Sequence, residues 1–464
     1  MHMSNVYDYL KHLSSIDIFG GTHAESLFTR HVWERPLRLH TAHTIDFDQP
    51  VHKAAVLDYK SLFANRVLSY LYERDLVFLP TEGCQLEPSQ SNFNTFYTTG
   101  DNVALSLLQL HLEKYCLGFL PKEVDVVGQW TKKKFLEYYR ERTQPTTYPA
   151  LAYLTQTPLR PLAAQVLLIQ HGLDFLVEAS HMTKVIGGDF GRLQSEIFKV
   201  LIDEFGYGVH KAKHSQLFKE TLKSAAMSPE THYYWQFYLT STLLLNNLFH
   251  YITSNKQHFF KYLGAICLAE QTFGPYCQRT AEILKTLYAD KLDVRYYLEH
   301  AHIDDHHGRM MLEDVVLRAI DLYGETIVPE IVTGMEWSLY VQELCDADFL
   351  AQITWMERKA RYKSAGMRIK DKVMTDTTIA SQTFTEPYKE ISTTHVHDQD
   401  ELCVIHGGAM KFVNGFNCYT HLKAGEAMII QRNRLHGAII NSTTCNYTVY
   451  SIGDHKKYGI NLDQ

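Results

Sequence analysis

No C-x-x-C pair occurs among the eight cysteines of this 464-residue chain; Cys84, Cys116, Cys267, Cys277, Cys345, Cys403, Cys418 and Cys445 are scattered. That spacing excludes a zinc ribbon and a disulfide scaffold and fits a reduced, cytoplasmic setting. Long apolar runs are scarce: LTSTLLLNNLF at 239–249 falls well short of the roughly 20 residues of a spanning helix. The N-terminus MHMSNVYDYLKHLSSIDIF lacks the basic-then-apolar layout of a signal peptide. Positive charge is not in excess. A net charge of −7 argues against a nucleic-acid or membrane partner. Lys132-Lys133-Lys134 and the basic stretch 358–372 read as solvated helix faces. There is no Rossmann or flavin fingerprint, no internal repeat and no low-complexity segment, so any redox step needs electrons from outside.

Histidine, by contrast, is plentiful at 25 residues. Its placement follows a three-part organisation. Residues 1–130 carry two segments with apolar residues at three- and four-residue intervals, 56–79 and 102–120, joined by a polar connection. No ligand cluster occurs there, so a packing or self-association module is expected. From 131 to 345 the pattern is helical throughout, with Gly-, Pro- and Asn-bearing connections, as in a bundle of six or more helices. Residues 346–464 begin with a further helical stretch. From Thr375 they become short β-type runs (TIASQTF, KEISTTHVH, ELCVIHG, AMKFVNGFNCYTHL, AMIIQ, GAIINST, NYTVYSI), as in a barrel or jelly roll. The fold class is multidomain α + β.

In the helical part, His300, Asp304 and His307 are spaced four and three apart, so they project from one side of a helix. His302, Asp305 and His306 turn to other faces. Glu178, Glu204, His214 and Glu270 interrupt apolar helical patterns upstream. Burying a lone charge is costly, and a pair of metal ions shared among carboxylates and imidazoles removes that cost. Glu178 is expected near the end of one helix, Glu204 and His214 on the next with the Glu-Phe-Gly-Tyr-Gly stretch distorting it, and Glu270 on a fourth.

In the β part, His395 and His397 alternate along an expected strand and face one side, and His436 follows in a second element, GEAMIIQRNRLHGAIIN. Three imidazoles with open positions suit Fe(II) and O2 chemistry, although ligand type alone also admits Zn, Mn, Ni or Cu. Glu401 lies close by in sequence.

The order Glu…Glu-x9-His…Glu…His-x3-Asp-x2-His, with GYGVHKAKHSQLF around the middle histidine, resembles the haem-oxygenase-like diiron oxidases. In its layout the whole chain is similar to members with a helical dimerisation domain in front and a cupin behind. The resemblance implies Glu178, Glu204, His214, Glu270, His300, Asp304 and His307 as ligands of two irons. It likewise implies His395, His397 and His436 as ligands of a cupin iron, with Glu401 beside that iron rather than on it. The proline usual in the second cupin motif is replaced here by Gln431-Arg432-Asn433. A homodimer is implied, with O2 as cosubstrate and an external electron donor. The implied reaction is N-hydroxylation of the guanidine of Nω-methyl-L-arginine at the diiron site, then oxidative rearrangement to an N-nitrosourea at the cupin iron. The same ligands would serve a diiron N-oxygenase plus cupin acting on another amine or amino acid, and a sensing or metal-storage module without turnover is the third reading.

Overall fold

The computed structural model describes residues 6–15, 26–29, 35, 39–74, 99–144, 147–289 and 291–462. The polar connection expected at 81–101, and Cys84 within it, lie largely outside these residues.

The N-terminal module is helical. α1 (Val6–Ser15) buries Val6, Leu10 and Leu13 against α3 (Thr99–Leu117). α2 (Tyr59–Glu73) is started by Asp58, whose side chain accepts the amide of Ser61 at 2.8 Å, an N-cap satisfying a donor the helix leaves open. α2 is buried along nearly its whole length, because it lies between the module and the bundle and packs on α8 (Thr240–Ser254). Asn247 on α8 donates to Asn65 on α2 at 3.0 Å across that seam.

The bundle comprises α4 (Lys132–Arg142), α5 (Arg160–Phe175), α6 (Arg192–Glu204), α7 (His214–Ser224), α8, α9 (Phe259–Leu287) and α10 (Arg295–Met310), with the first half of α11 (Val328–Glu357). The segment Arg160–Ile186 is long and apolar enough to cross a membrane. Here it is mostly buried among the other helices and turns at Ala179, where φ is 57°, so it serves as bundle core. α10 continues into a π-helical turn, Met311–Val316, which starts one helical turn after His307; such turns recur at functional sites.

α11 is about 45 Å long at 1.5 Å per residue. Its first half buries Ile331, Met335 and Val341 in the bundle, and its second half buries Phe349, Ile353 and Trp355 against the β part. The expected division at 345/346 falls inside this continuous helix. α12 (Lys359–Thr375) then leads to eight strands.

Those strands form two four-stranded antiparallel sheets of a cupin-like fold. One has the order β1-β8-β3-β6 (Ser381–Pro387, Thr444–Gly453, Asp400–Gly407, Ala427–Ile430). The other has the order β2-β7-β4-β5 (Ile391–His395, His436–Ile440, Ala409–Gly415, Cys418–Lys423). The run read as one segment over 409–422 is a hairpin. Gly415 and Asn417 adopt positive φ of 148° and 49°, which reverses the chain.

Candidate metal centres

α9 and α10 pack together so closely that a Cβ on Gly308 would lie 2.8 Å from Gln271 Oε1, and one on Gly274 would lie 3.1 Å from Asp304 Cβ. The two glycines let the helices approach where their acids and histidines face each other. His300, Asp304 and His307 share the buried side of α10, while His302, Asp305 and His306 are exposed. Glu270 meets them from α9: its Oε2 is 3.2 Å from His307 Nδ1.

The remaining predicted residues arrive by a different route than the sequence pattern indicated. Glu178 lies in the turn after α5, which ends at Phe175. Glu204 and His214 sit on separate helices, as the last residue of α6 and the first of α7. Gly206, Tyr207 and Gly208 all adopt positive φ between them, which no continuous helix tolerates. A Cβ on Gly206 would come within 2.5 Å of the Ala212 carbonyl carbon, so only glycine permits this reversal. The break aims His214 back at Glu204, with Nδ1 2.6 Å from Oε2.

Two groups result. The ligand-type atoms of Glu178, Glu204, His214 and His300 all lie within 4.8 Å of one another, and so do those of Glu270, Asp304 and His307. All seven predicted residues are brought together. His300 donates Nδ1–H to the Tyr296 carbonyl at 3.0 Å. Its Nε2 then faces Glu178 at 3.3 Å and His214 Nδ1 at 3.2 Å. Tyr296 donates its hydroxyl to Glu178 at 2.6 Å.

Sequence reasoning missed Asp203. Its Oδ2 accepts from His307 Nε2 at 2.8 Å, which turns Nδ1 toward Glu270 and Asp304. The signal available was its adjacency to Glu204 at a helix end, which is too common to single it out. Asp174, one turn before Glu178, is a second missed acid; its carboxylate makes no hydrogen bond or ion pair with any described residue.

The electrostatics are those of a site built around cations. Burial and then the Glu270 charge push Asp304 up to about 9, and burial and then Glu178 push Asp174 up to about 7. Glu178 is also raised, chiefly by burial. Burial acts the same way on Glu204, but the nearby His300 and His214 outweigh it and hold Glu204 low. Burial lowers His307, yet its hydrogen bond and charge interaction with Glu270 carry it up to about 9. Both oxygens of Asp304, Oε2 of Glu178 and Oδ1 of Asp203 are buried without a hydrogen-bond donor. Buried carboxyl oxygens left without a partner are rare and costly in a protein interior. Two divalent cations would satisfy them, so the donor set fits a carboxylate-rich dimetal centre.

In the β part, His395 ends β2 directly opposite His436, the first residue of β7. His397 lies two residues beyond the strand, not on it. The three rings nevertheless converge, with centroids 4.4–4.9 Å apart. Two carbonyls set their orientation: His395 donates Nδ1–H to Thr393 O and His436 donates Nδ1–H to Arg434 O, each at 2.8 Å. Both Nε2 lone pairs thereby point away from the backbone, as a metal requires. Glu401 Oε2 lies 3.1 Å from His397 Nε2, and burial pushes its carboxyl up to about 8.

α11 supports this site from behind. Gln352 donates to Asn414 O and Leu435 O and accepts from Leu435 N, while Asp348 pairs with Arg434 at 3.1 Å. A further group, Asp400, Asp454 and His455, has ligand-type atoms close together but a structural explanation. Asp400 already accepts from the amides of Arg432 and His455 and from the His455 ring.

A family model described as iron-containing redox enzyme matches residues 165–342, which hold all seven residues of the bundle groups. Over 435 residues, 92% of this chain and 91% of its relative, the sequence is 39% identical to the nitrosourea synthase of Streptomyces achromogenes subsp. streptozoticus. The chain belongs to the nitrosourea synthase family. As a member it is a non-haem, iron-dependent oxygenase: a haem-oxygenase-like bundle carries two groups of ligand-type residues and a cupin-like domain carries a third. The match spans almost the whole of both chains, so it takes in the N-terminal module and the β part as well as the bundle.

Proposed function

We propose that the chain hydroxylates the guanidine of Nω-methyl-L-arginine in the bundle and, with further O2 as oxidant, oxidatively rearranges the product to an N-nitrosourea in the β part. The observation that carries this reading is the coexistence of two different donor sets in one chain, acid-rich in the bundle and all-imidazole in the cupin-like domain. The relative's name supplies the product class. Glu178, Glu204, His214 and His300 would hold one iron, Glu270, Asp304 and His307 a second, and His395, His397 and His436 a third. The bound irons supply O2 activation, with electrons from an external donor.

The chain's own groups orient and select. Asp203 keeps a proton on His307 Nε2 and so commits Nδ1 to the site. Tyr296 restrains Glu178 by donating to one of its oxygens, leaving the other free. Asp174, pushed up to about 7 by burial and the neighbouring acids, stands one turn from Glu178 as a carboxyl that an incoming guanidinium would hold ionised. In the β part, the Thr393 and Arg434 carbonyls hold the imidazole protons away from the centre.

Anaerobic Fe(II) loading followed by aerobic incubation with reductant and Nω-methyl-L-arginine tests the proposal by mass spectrometry. Hydroxylated guanidine and then an N-nitroso product are expected, with up to three irons per chain. A reproducible limit of one iron, or O2 uptake without oxygen in the amino acid, overturns it.

The N-terminal module would pair two copies of the chain. Val103, Leu107 and Leu110 are 59%, 39% and 60% exposed on α3 and recur at helical spacing. An apolar stripe of that kind suits a second copy of itself across a two-fold axis.

A further inference from the structure

The strand that delivers His395 is irregular immediately before it. β2 pairs with β7 at Ile391–Ile439 and Ser392–Ala438, and next at His395–His436, so Thr393 and Thr394 have no partner across the ladder. A register slip of this kind leaves backbone carbonyls in need of donors and lets the strand end drift unless something holds it. Thr393 O is taken by the His395 ring itself. Thr394 O is taken by a residue more than 300 positions away. Arg66, on α2 of the N-terminal module, donates from one terminal nitrogen to Thr394 O at 2.8 Å and from the other to Thr394 Oγ1 at 3.0 Å. The second nitrogen also reaches Gln236 O of the bundle at 3.2 Å, and Thr394 Oγ1 donates to that same carbonyl. Thr394 is 1% exposed and Gln236 3%, so water does not compete for these contacts.

We propose that Arg66 is a positioning residue for the metal site of the β part: a guanidinium from the N-terminal module fixes the peptide that carries His395. This rests on the reading above, that His395, His397 and His436 hold a metal. A planar guanidinium spans the carbonyl and the hydroxyl of one residue at once, fixing both the position and the tilt of the 394–395 peptide. The next side chain along is the imidazole, so a tilt of that peptide displaces Nε2 from its partners on His397 and His436. The N-terminal module thereby has a second task besides packing. It holds a feature of the third domain that the third domain cannot hold alone.

The test uses the full-length chain in a Glu204→Ala/His307→Ala background, which disables the bundle site. Anaerobic titration with Co(II) then reports the β-part site through its visible absorption. Arg66→Ala is expected to weaken Co(II) binding at least tenfold and to change the band pattern. Arg66→Lys keeps the charge but not the two-pronged grip, and is expected to fall between that variant and the parent. Asn65→Ala loosens the same α2–α8 seam without touching Thr394, and should bind like the parent. Parent-like affinity and spectrum in Arg66→Ala overturn the proposal. Should Arg66→Ala melt below the assay temperature, parent-like binding by Arg66→Lys overturns it instead, as does an Asn65→Ala defect equal to that of Arg66→Lys. If the background protein binds no more Co(II) than its His395→Ala derivative, the metal reading itself has failed, and that result is distinct from the others.

Discussion

The two candidate centres solve opposite problems. The bundle gathers five carboxylates, counting Asp203, and three imidazoles into a buried space where several oxygens have no donor. The β part gathers three imidazoles at a strand end, where His395 and His397 are only half-buried and the ring protons of two are already engaged by carbonyls. The first is an excess of negative charge that cations must complete. The second is a neutral arrangement whose quality depends on strand register. A metal in the bundle would therefore be tied to electrostatic stability, whereas one in the β part would be tied to backbone geometry. Loss of one should leave the other in place.

That separation can be broken most directly by ligand replacement. Glu204→Ala or His307→Ala should lower guanidine hydroxylation by at least a hundredfold while a supplied hydroxylated intermediate is still converted. His395→Ala, His397→Ala or His436→Ala should do the reverse, with hydroxylated guanidine accumulating. If folded β-part variants lose hydroxylation as completely as bundle variants do, the two centres are not independent.

The electrostatic half of the comparison is sharpened by pH. In metal-free protein the folded-state values of Asp304 and His307 both stand at about 9, above their unfolded values near 4 and 6.5. From pH 6.5 to 9 the folded state therefore holds protons that the unfolded state has released, so stability falls as pH rises, by at most about 1.4 kcal/mol per pH unit for each such proton. Urea unfolding in chelator at pH 6.5 and pH 9 should show that loss, and iron loading should flatten or reverse it. A metal-free protein that is more stable at pH 9 contradicts the picture of an unfilled acidic site.

Smaller effects follow outside the ligands. Asp203→Asn should weaken iron binding in the bundle by about 10–100-fold, the usual cost of losing a carboxylate that orients a ligating histidine, and should leave Co(II) binding in the β part unchanged. Leu110→Glu should shift the chain from dimer to monomer in light scattering without altering either metal site. The smallest effect belongs to Asp454→Asn: because Asp400 and His455 already satisfy each other, iron stoichiometry should not change.

The legible part of this protein was the part carried by local periodicity. The four- and three-residue spacing of His300, Asp304 and His307 fixes one face of α10 whatever surrounds it, because a helix repeats every 3.6 residues. The change to short alternating runs after Thr375 announced a β domain for the same reason. Apolar patterns interrupted by Glu178, Glu204 and Glu270 marked acids that would be costly to bury alone.

Other features depended on contacts that no local repeat encodes. Glu178 lies past a helix end and Glu204 and His214 belong to separate helices, because the positive φ values at Ala179 and across Gly206–Gly208 bend the chain where the apolar rhythm runs on. His397 reaches its neighbours from beyond the strand. Asp203 matters only because α6 lies against α10, and Arg66 matters only because α2 reaches Thr394, 328 positions away. Local periodicity settles which residues are able to bind metal and which faces they share. Which acids and carbonyls orient them is settled by folding, since side-chain-to-backbone contacts between distant segments form when packing brings those segments together.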